Sequence, residues 1–335
     1  MADPPLVASV GLGWWGQVLA AKSEQAGLRV TTCFSPTEES RNAFAARFSC
    51  STEPSLEAVL ARDDVAGVLV ATPHSTHAEI IEQCAAAGKH VFVEKPMTLT
   101  YAEGARAVDA AEAAGVVLQV GHMRRRQPAT RRIKAMIEAG DLGMIHHVEA
   151  NQSHPKGLDP RSGWRGDPAE SPAGGMTGLG VHMVDNLIYL VGRPSRLAAF
   201  SRPVIGLSRL DDVTTVTFEF ESGPLGYLGT ATVVPDVVRT AAFGTEGAAW
   251  NEGDGAQFFV QRVGDSLRAE QPIDTIDAVV DELSEFAACL RGERLPETDG
   301  RAGLEVVAVL EAITTSAATG AVVELDAIRS TLSRA

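Results

Sequence analysis

The stretch VGLGWWGQVLAAKSEQAG, residues 10–27, decides the fold. It sets Gly11, Gly13 and Gly16 in G-x-G-x-x-G spacing, after the apolar run LVASV and before a helix pattern, GQVLAAKSEQAG. In that setting each glycine has its own task. Gly11 makes the tight turn, Gly13 leaves room for a pyrophosphate, and Gly16 lets helix and strand pack closely. Backbone amides and the helix N-terminus then face the anion. Trp14 and Trp15 fill the variable positions, which accept side chains directed away from the phosphates. A tryptophan there is expected on the cleft wall near a nicotinamide.

The surroundings support a dinucleotide loop. From Leu6 to Met123, β-branched runs (LVASVG, LRVTTCF, AGVLVATP, KHVFVEKP, VVLQVGH) alternate with Ala-rich amphipathic segments such as HAEIIEQCAAAG and TYAEGARAVDAAEAAG. The last of these opens with Thr100 and Glu103 in capping-box spacing and stops at Gly115. Strands buried on both faces, alternating with helices, predict a doubly wound parallel sheet with right-handed crossovers. The expected first domain is residues 1–123.

The dinucleotide fingerprint expects a carboxylate at the end of the second strand, for the ribose diol. Here the chain reads CFSPTEES, with Ser35 in that place. Without a carboxylate nothing repels a 2′-phosphate, so the cofactor is NAD or NADP with a lean to NADP. Ser35, Pro36 and Glu38 also fit N-cap, N1 and N3 of the following helix, and Arg41 lies within reach of a phosphate.

After Met123 the rhythm changes. The helix pattern PATRRIKAMIEAG and the strand-like IHHVEANQS lead into a polar Gly/Pro-rich passage, then a helix candidate, MTGLGVHMVDNLIYLVG. Consecutive strand-like runs follow (DDVTTVTFEFES, LGYLGTATVV, AQFFVQRV), and two closing helices end the chain. Strands without intervening helices suggest an antiparallel sheet. Residues 124–335 are therefore expected to form a second α/β domain around a mostly antiparallel open sheet.

Composition narrows the partners. The chain has 335 residues and a formal net charge of -14, against nucleic acid or anionic membranes, both of which need clustered Lys and Arg. The run Arg124, Arg125, Arg126, with Arg131 and Arg132, reads as a solvated helix face or an interface. Four dispersed cysteines show no metal-ligand spacing and read as reduced thiols; no metal is expected. No secretory signal and no apolar run of about 18 residues is apparent, so a cytoplasmic location is the expectation.

In KHVFVEKPM, Glu94, Lys95 and Pro96 follow an apolar strand. Ligands of open α/β sheets bind beyond the carboxyl ends of strands, so Lys95 points at the cofactor crevice. A lysine partly desolvated there exchanges a proton with a substrate hydroxyl. The alternative is a strand-end lysine paired with Glu94 at the surface.

With these residues the chain resembles the Gfo/Idh/MocA family, relatives of glucose-fructose oxidoreductase and inositol dehydrogenase. The resemblance rests on GLGWWG, ATPHSTHAEI (71–80), AGKHVFVEKPM (87–97), QVGHMRR (119–125), GGMTGLGVHMVD (174–185) and SEFAACLRG, and spans nearly the whole chain. It implies a Rossmann domain followed by a mostly antiparallel α/β domain, and NAD(P)-linked oxidation or reduction of sugars, cyclitols or similar alcohols. It implies that Lys95 is the catalytic lysine. Thr72, Pro73, His77 and Glu94 are expected beside the cofactor, with His74 and His77 supporting a helix start rather than the chemistry.

In GGMTGLGVHMVD, Gly178, His182 and Asp185 share one face if the segment is α-helical. The resemblance implies an Asp where Gly178 stands, and its loss enlarges the pocket. His182 is expected as the acid/base partner and Asp185 as a substrate contact. Trp164 and Arg165, on the polar passage, are expected to stack on a sugar ring and clamp an anionic group. The expected enzyme is an NAD(P)-dependent dehydrogenase or reductase acting on CH-OH groups of a small-molecule sugar or cyclic alcohol, and a homo-oligomer (dimer or tetramer). Two alternatives stand beside it. One is a lyase, hydrolase or epimerase that oxidises its substrate transiently with tightly bound NAD; the other is a non-catalytic cofactor-binding regulator.

Overall fold

The computed structural model describes residues 3–158 and 163–330. The chain divides into two compact units: Met1–Met123 with Asp277–Leu304, and Arg124–Ile276 with Glu305–Ala335.

The first unit alternates strand and helix: β1 (Leu6–Val10), α1 (Trp14–Ser23), β2 (Arg29–Phe34), α2 (Glu38–Phe48), β3 (Ser51–Thr52), α3 (Leu56–Leu60), β4 (Gly67–Val70), α4 (His77–Ala86), β5 (His90–Val93), α5 (Tyr101–Ala114) and β6 (Leu118–Val120). All strand pairs are parallel, in the order β3-β2-β1-β4-β5-β6. The order reverses between β1 and β4, which opens a crevice at their carboxyl ends. The five strand-like runs become β1, β2, β4, β5 and β6, while two-residue β3 left no periodic signal. Thr100 caps α5 as expected: Glu103 N–H donates to Thr100 Oγ1 at 3.3 Å, that hydroxyl donates to Glu103 Oε2 at 2.9 Å, and Gly115 ends the helix at φ 66°.

The second unit holds α6 (Pro128–Glu138), β7 (Ile145–Ser153), α7 (Val181–Val191), β8 (Pro194–Arg202), β9 (Val213–Phe220), β10 (Leu225–Ala231), β11 (Val237–Gly244), β12 (Gly247–Glu252), β13 (Gln257–Arg262) and β14 (Ala269–Gln271). After α8 (Ala278–Leu290) and α9 (Gly300–Thr319), β15 (Val323–Glu324) and α10 (Leu325–Arg329) complete it. Its nine strands run β14-β13-β12-β11-β7-β10-β9-β8-β15, antiparallel except for the β10–β7 pair. β9 shows the expected period of two: Thr214, Val216, Phe218 and Phe220 are buried between more exposed neighbours.

The expectation that everything after residue 124 belongs to the second domain is corrected by Asp277–Leu304, which returns to the first. Phe286 of α8 is fully buried with Val7, Leu69 and Phe92 in one cluster, its ring 5.8 Å from that of Phe92. A buried phenylalanine contributes about 2–3 kcal/mol. Polar bonds fix the return: Gln119 Nε2 donates to the Glu282 carbonyl (2.8 Å), and Val120 exchanges bonds with Thr298 (2.8 and 2.7 Å).

A second correction concerns α9, which at 20 residues is long and apolar enough to cross a membrane by length and composition. Its apolar side chains are used elsewhere, since Leu304, Val306, Val307, Val309 and Ile313 are buried in the protein.

Candidate functional site

The glycine loop has the shape its spacing requires. Gly11 sits at φ +90°, and a Cβ there would lie 2.5 Å from the Ala71 backbone; at Gly16 it would lie 2.0 Å from the Gly11 carbonyl oxygen. Gly13 differs, because a Cβ on it meets nothing within 4 Å. Two glycines are therefore imposed by the protein's own backbone, and the third borders open space. Gly13 is also the N-cap of α1 and supplies no side-chain cap, so the first amides of α1 stay available to an anion. A dinucleotide pyrophosphate fits this cradle. Trp14 is 69% exposed beside it, whereas Trp15 packs on the cluster of Leu19, Phe92 and Phe286 and anchors the loop from below.

At the end of β2, Ser35 is buried and is not the helix cap: α2 starts at Glu38 with Thr37 as N-cap. Arg41 folds back over this corner, its Nη1 donating to the carbonyls of Ser35 (2.8 Å) and Pro36 (3.2 Å). A guanidinium thus stands where the fingerprint expects a carboxylate.

At the ends of β4 and β5, which are neighbours in the sheet, the remaining residues gather. Buried His77 joins them: its Nδ1 lies 3.0 Å from the Pro96 carbonyl and its Nε2 3.2 Å from the Thr72 carbonyl. Thr76 Oγ1 bonds the Pro73 carbonyl (2.8 Å) and Thr72 Oγ1 (2.7 Å), completing the turn. Glu94 is buried, and its Oε2 accepts from the Lys95 amide at 3.4 Å. A Cβ on Gly121 would sit 2.9 Å from Glu94 Oε1, so the glycine after β6 makes room for that carboxylate. Glu94 is buried and Lys95 half-buried, so neither stands on an open surface. His122 is fully buried just after β6.

In the second unit the segment after Gly175 is not one α-helix. Met176–Gly180 forms a π-helical turn, and α7 begins at Val181. The wider turn alters the α-helical spacing that put Gly178 on one face with His182 and Asp185. Gly178 is exposed, with nothing within 4 Å of a Cβ built on it. His182 is buried in the first turn of α7.

Asp185 is 1% exposed and forms a bidentate pair with Arg125, at 2.8 Å to Nε and 2.5 Å to Nη2. Arg125 also lies 5.2 Å over the Tyr189 ring. Arg124, Arg125 and Arg126 are all buried, in a 3-10 turn preceding α6, which overturns the solvated helix face. Burial lowers the Arg124 guanidinium to about 10, and it pairs with Asp254. Arg165 stacks 4.1 Å over Trp164 on a short 3-10 turn, so the two act as one plate. Among the described residues no group of three or more His, Cys, Asp or Glu could hold a metal.

Comparison with known proteins decides the family. Residues 6–122 match the model of the oxidoreductase family with an NAD-binding Rossmann fold, and residues 130–250 match that of the GFO/IDH/MocA C-terminal domain. The chain belongs to the GFO/IDH/MocA family. A D-xylose 1-dehydrogenase (NADP(+)) of Haloferax volcanii is 29% identical over 81% of this chain and 84% of its own. A 2,7-anhydro-N-acetylneuraminate hydratase of Escherichia coli is 30% identical over 65% of this chain and 59% of its own. The solved structure of a protein provisionally named as an NADPH-dependent oxidoreductase, from Desulfitobacterium hafniense, superposes with a TM-score of 0.92 at 32% identity, covering 98% of this chain and 99% of that one. As a GFO/IDH/MocA member the chain is an NAD(P)-linked oxidoreductase.

Proposed function

We propose that the protein is an NADP-preferring dehydrogenase or reductase of a sugar or cyclitol carbinol, with Lys95 as the acid/base. The observation that carries this reading is the position of Lys95, half-buried just past the carboxyl end of β5, whose neighbour β4 borders the switch point. The bound dinucleotide supplies the hydride acceptor or donor at its nicotinamide. In oxidation Lys95 Nζ takes the proton of the substrate hydroxyl, and in reduction it returns it. His77 holds the backbone on either side of the crevice, at Thr72 and Pro96, and so fixes where Lys95 stands.

Trp14, Thr72 and Pro73 are assigned to the cofactor side; His182 and the Trp164–Arg165 plate are assigned to substrate. Asp185 is assigned to holding Arg125 and not to substrate. Preference for NADP rests on Arg41 at a corner without a carboxylate.

The test is a panel of aldoses, ketoses and cyclitols with each coenzyme, followed at the reduced-nicotinamide band. Lys95→Ala should lose at least about a hundredfold in kcat, the usual worth of a general acid/base. Arg41→Ala should weaken NADP, and not NAD, about tenfold. Full turnover by Lys95→Ala sinks the assignment. The similarity to a hydratase favours a second reading, transient oxidation with return of the hydride. It requires solvent deuterium to enter recovered substrate while no reduced coenzyme accumulates.

A further inference from the structure

β2 and β3 bring two of the four thiols together. Cys33 is fully buried on β2, and half-exposed Cys50 directly precedes β3, packed on the same cluster of Leu12, Ala20, Cys33 and Phe44. The parallel register pairs Cys33 with Thr52, so Cys50, two residues before Thr52, projects to the same face as Cys33. The two thiols act on each other's titration, and Cys33 Sγ lies 3.7 Å from the Arg41 carbonyl oxygen. Cys33 holds the Cys50 thiol below its ordinary value; Cys50, together with burial, drives Cys33 far above its own. The nucleophilic sulfur is therefore the one that solvent reaches, on half-exposed Cys50. Cys84 contrasts with it, a thiol pushed up to about 12 by burial, and Cys289 is buried as well.

We propose that Cys33 and Cys50 are an oxidation site for small hydroperoxides, closing to a disulfide that loosens the adenosine end of the cofactor loop. The Cys50 thiolate attacks one oxygen of hydrogen peroxide, giving a sulfenic acid and releasing hydroxide, which takes up a proton as water. Cys33 then attacks the Cys50 sulfur; the S–S bond forms, the S–O bond breaks, and hydroxide leaves with the Cys33 proton as a second water. Two thiols lose two electrons and one peroxide is reduced to two waters. The coupling runs through Arg41. Cys33 gives up its contact with the Arg41 carbonyl, and the Arg41 guanidinium is what closes over Ser35 and Pro36. The thiol chemistry stands by itself, whereas its effect on coenzyme rests on the function proposed above.

The experiment treats the native, full-length protein with one equivalent of hydrogen peroxide, alkylates free thiols and maps peptides by mass spectrometry. The expected product is a Cys33–Cys50 cross-linked peptide, with Cys84 and Cys289 still alkylated. Cys33→Ser should accumulate a Cys50 sulfenic acid trapped by dimedone, and Cys50→Ser should leave Cys33 unmodified, with thermal melts showing that both variants are folded. Oxidised wild-type protein should bind NADP about tenfold more weakly, the loss of one charge-assisted hydrogen bond, and recover with reductant. Cys50 reacting no faster than Cys84, or a sulfenic acid in wild type that never becomes a disulfide, overturns the oxidation site. A disulfide with unchanged NADP affinity overturns the coupling. Reduced protein that binds neither coenzyme sinks the cofactor reading and leaves the peptide result standing.

Discussion

Replacing Asp185 by Ala separates a structural ion pair from a substrate contact. The carboxylate meets Arg125 through two bonds, at 2.8 and 2.5 Å, and the two side chains are 1% and 8% exposed. Removing it strands a buried guanidinium, a loss of about 3–5 kcal/mol. In a unit of this size each kcal/mol moves the midpoint by about 2–4 °C, so the melt should fall by about 6–20 °C. Asp185→Asn, which keeps one acceptor oxygen, should lose less. The double variant Arg125→Met, Asp185→Leu should recover most of the loss, because apolar groups of similar volume replace a buried pair at little cost. Urea unfolding followed by circular dichroism gives the free energies, and Michaelis constants on a working substrate give the other arm. A stable Asp185→Ala protein with a raised Michaelis constant would refute the structural assignment and return Asp185 to the substrate.

Gly11→Ala should unfold or lose more than about 3 kcal/mol, since its Cβ meets backbone at 2.5 Å and φ is +90°, whereas Gly13→Ala should melt like wild type and lose coenzyme affinity in a fluorescence titration. Gly178→Asp should keep stability within about 1 kcal/mol because its Cβ enters open space, while shifting kcat/KM across the substrate panel; a collapse of the fold would contradict the geometry. Burial lowers His90 below its ordinary value of 6.5, and its Nδ1 accepts from the Val117 amide at 2.9 Å. Below 6.5 the unfolded chain then binds more protons than the folded one, so stability is complete above that pH and declines as pH falls towards the lowered value. Urea midpoints at several pH values check this, and His90→Gln should flatten the slope.

The first domain is legible because both its signals are local. β-branched runs alternate with amphipathic ones, and the glycines at 11, 13 and 16 lie between a strand and a helix. Lys95 is legible for the same reason, since it directly follows an apolar strand. What stays hidden is held by distant partners. The arginines at 124–126 read as a surface because their acceptors, Asp185 and Asp254, lie far along the chain. The π-helical turn before His182 escapes a periodicity argument, for five residues are too few to establish a new period. Cys33 and Cys50 look dispersed in the sequence, and only the pairing of β2 with β3 brings them to one apolar cluster.

The return of Asp277–Leu304 to the first unit bears on how the protein is made. A ribosome delivers the cofactor loop early, but the helix that covers Phe92 and Leu69 emerges only after most of the second unit has been synthesised. Until then the nascent nucleotide domain carries an open apolar face and lacks the edge bonds from Thr298 to Val120. A gene fragment ending at Met123 encodes a domain without its lid of hydrophobic side chains, so the coenzyme half cannot be grafted elsewhere as one contiguous cassette.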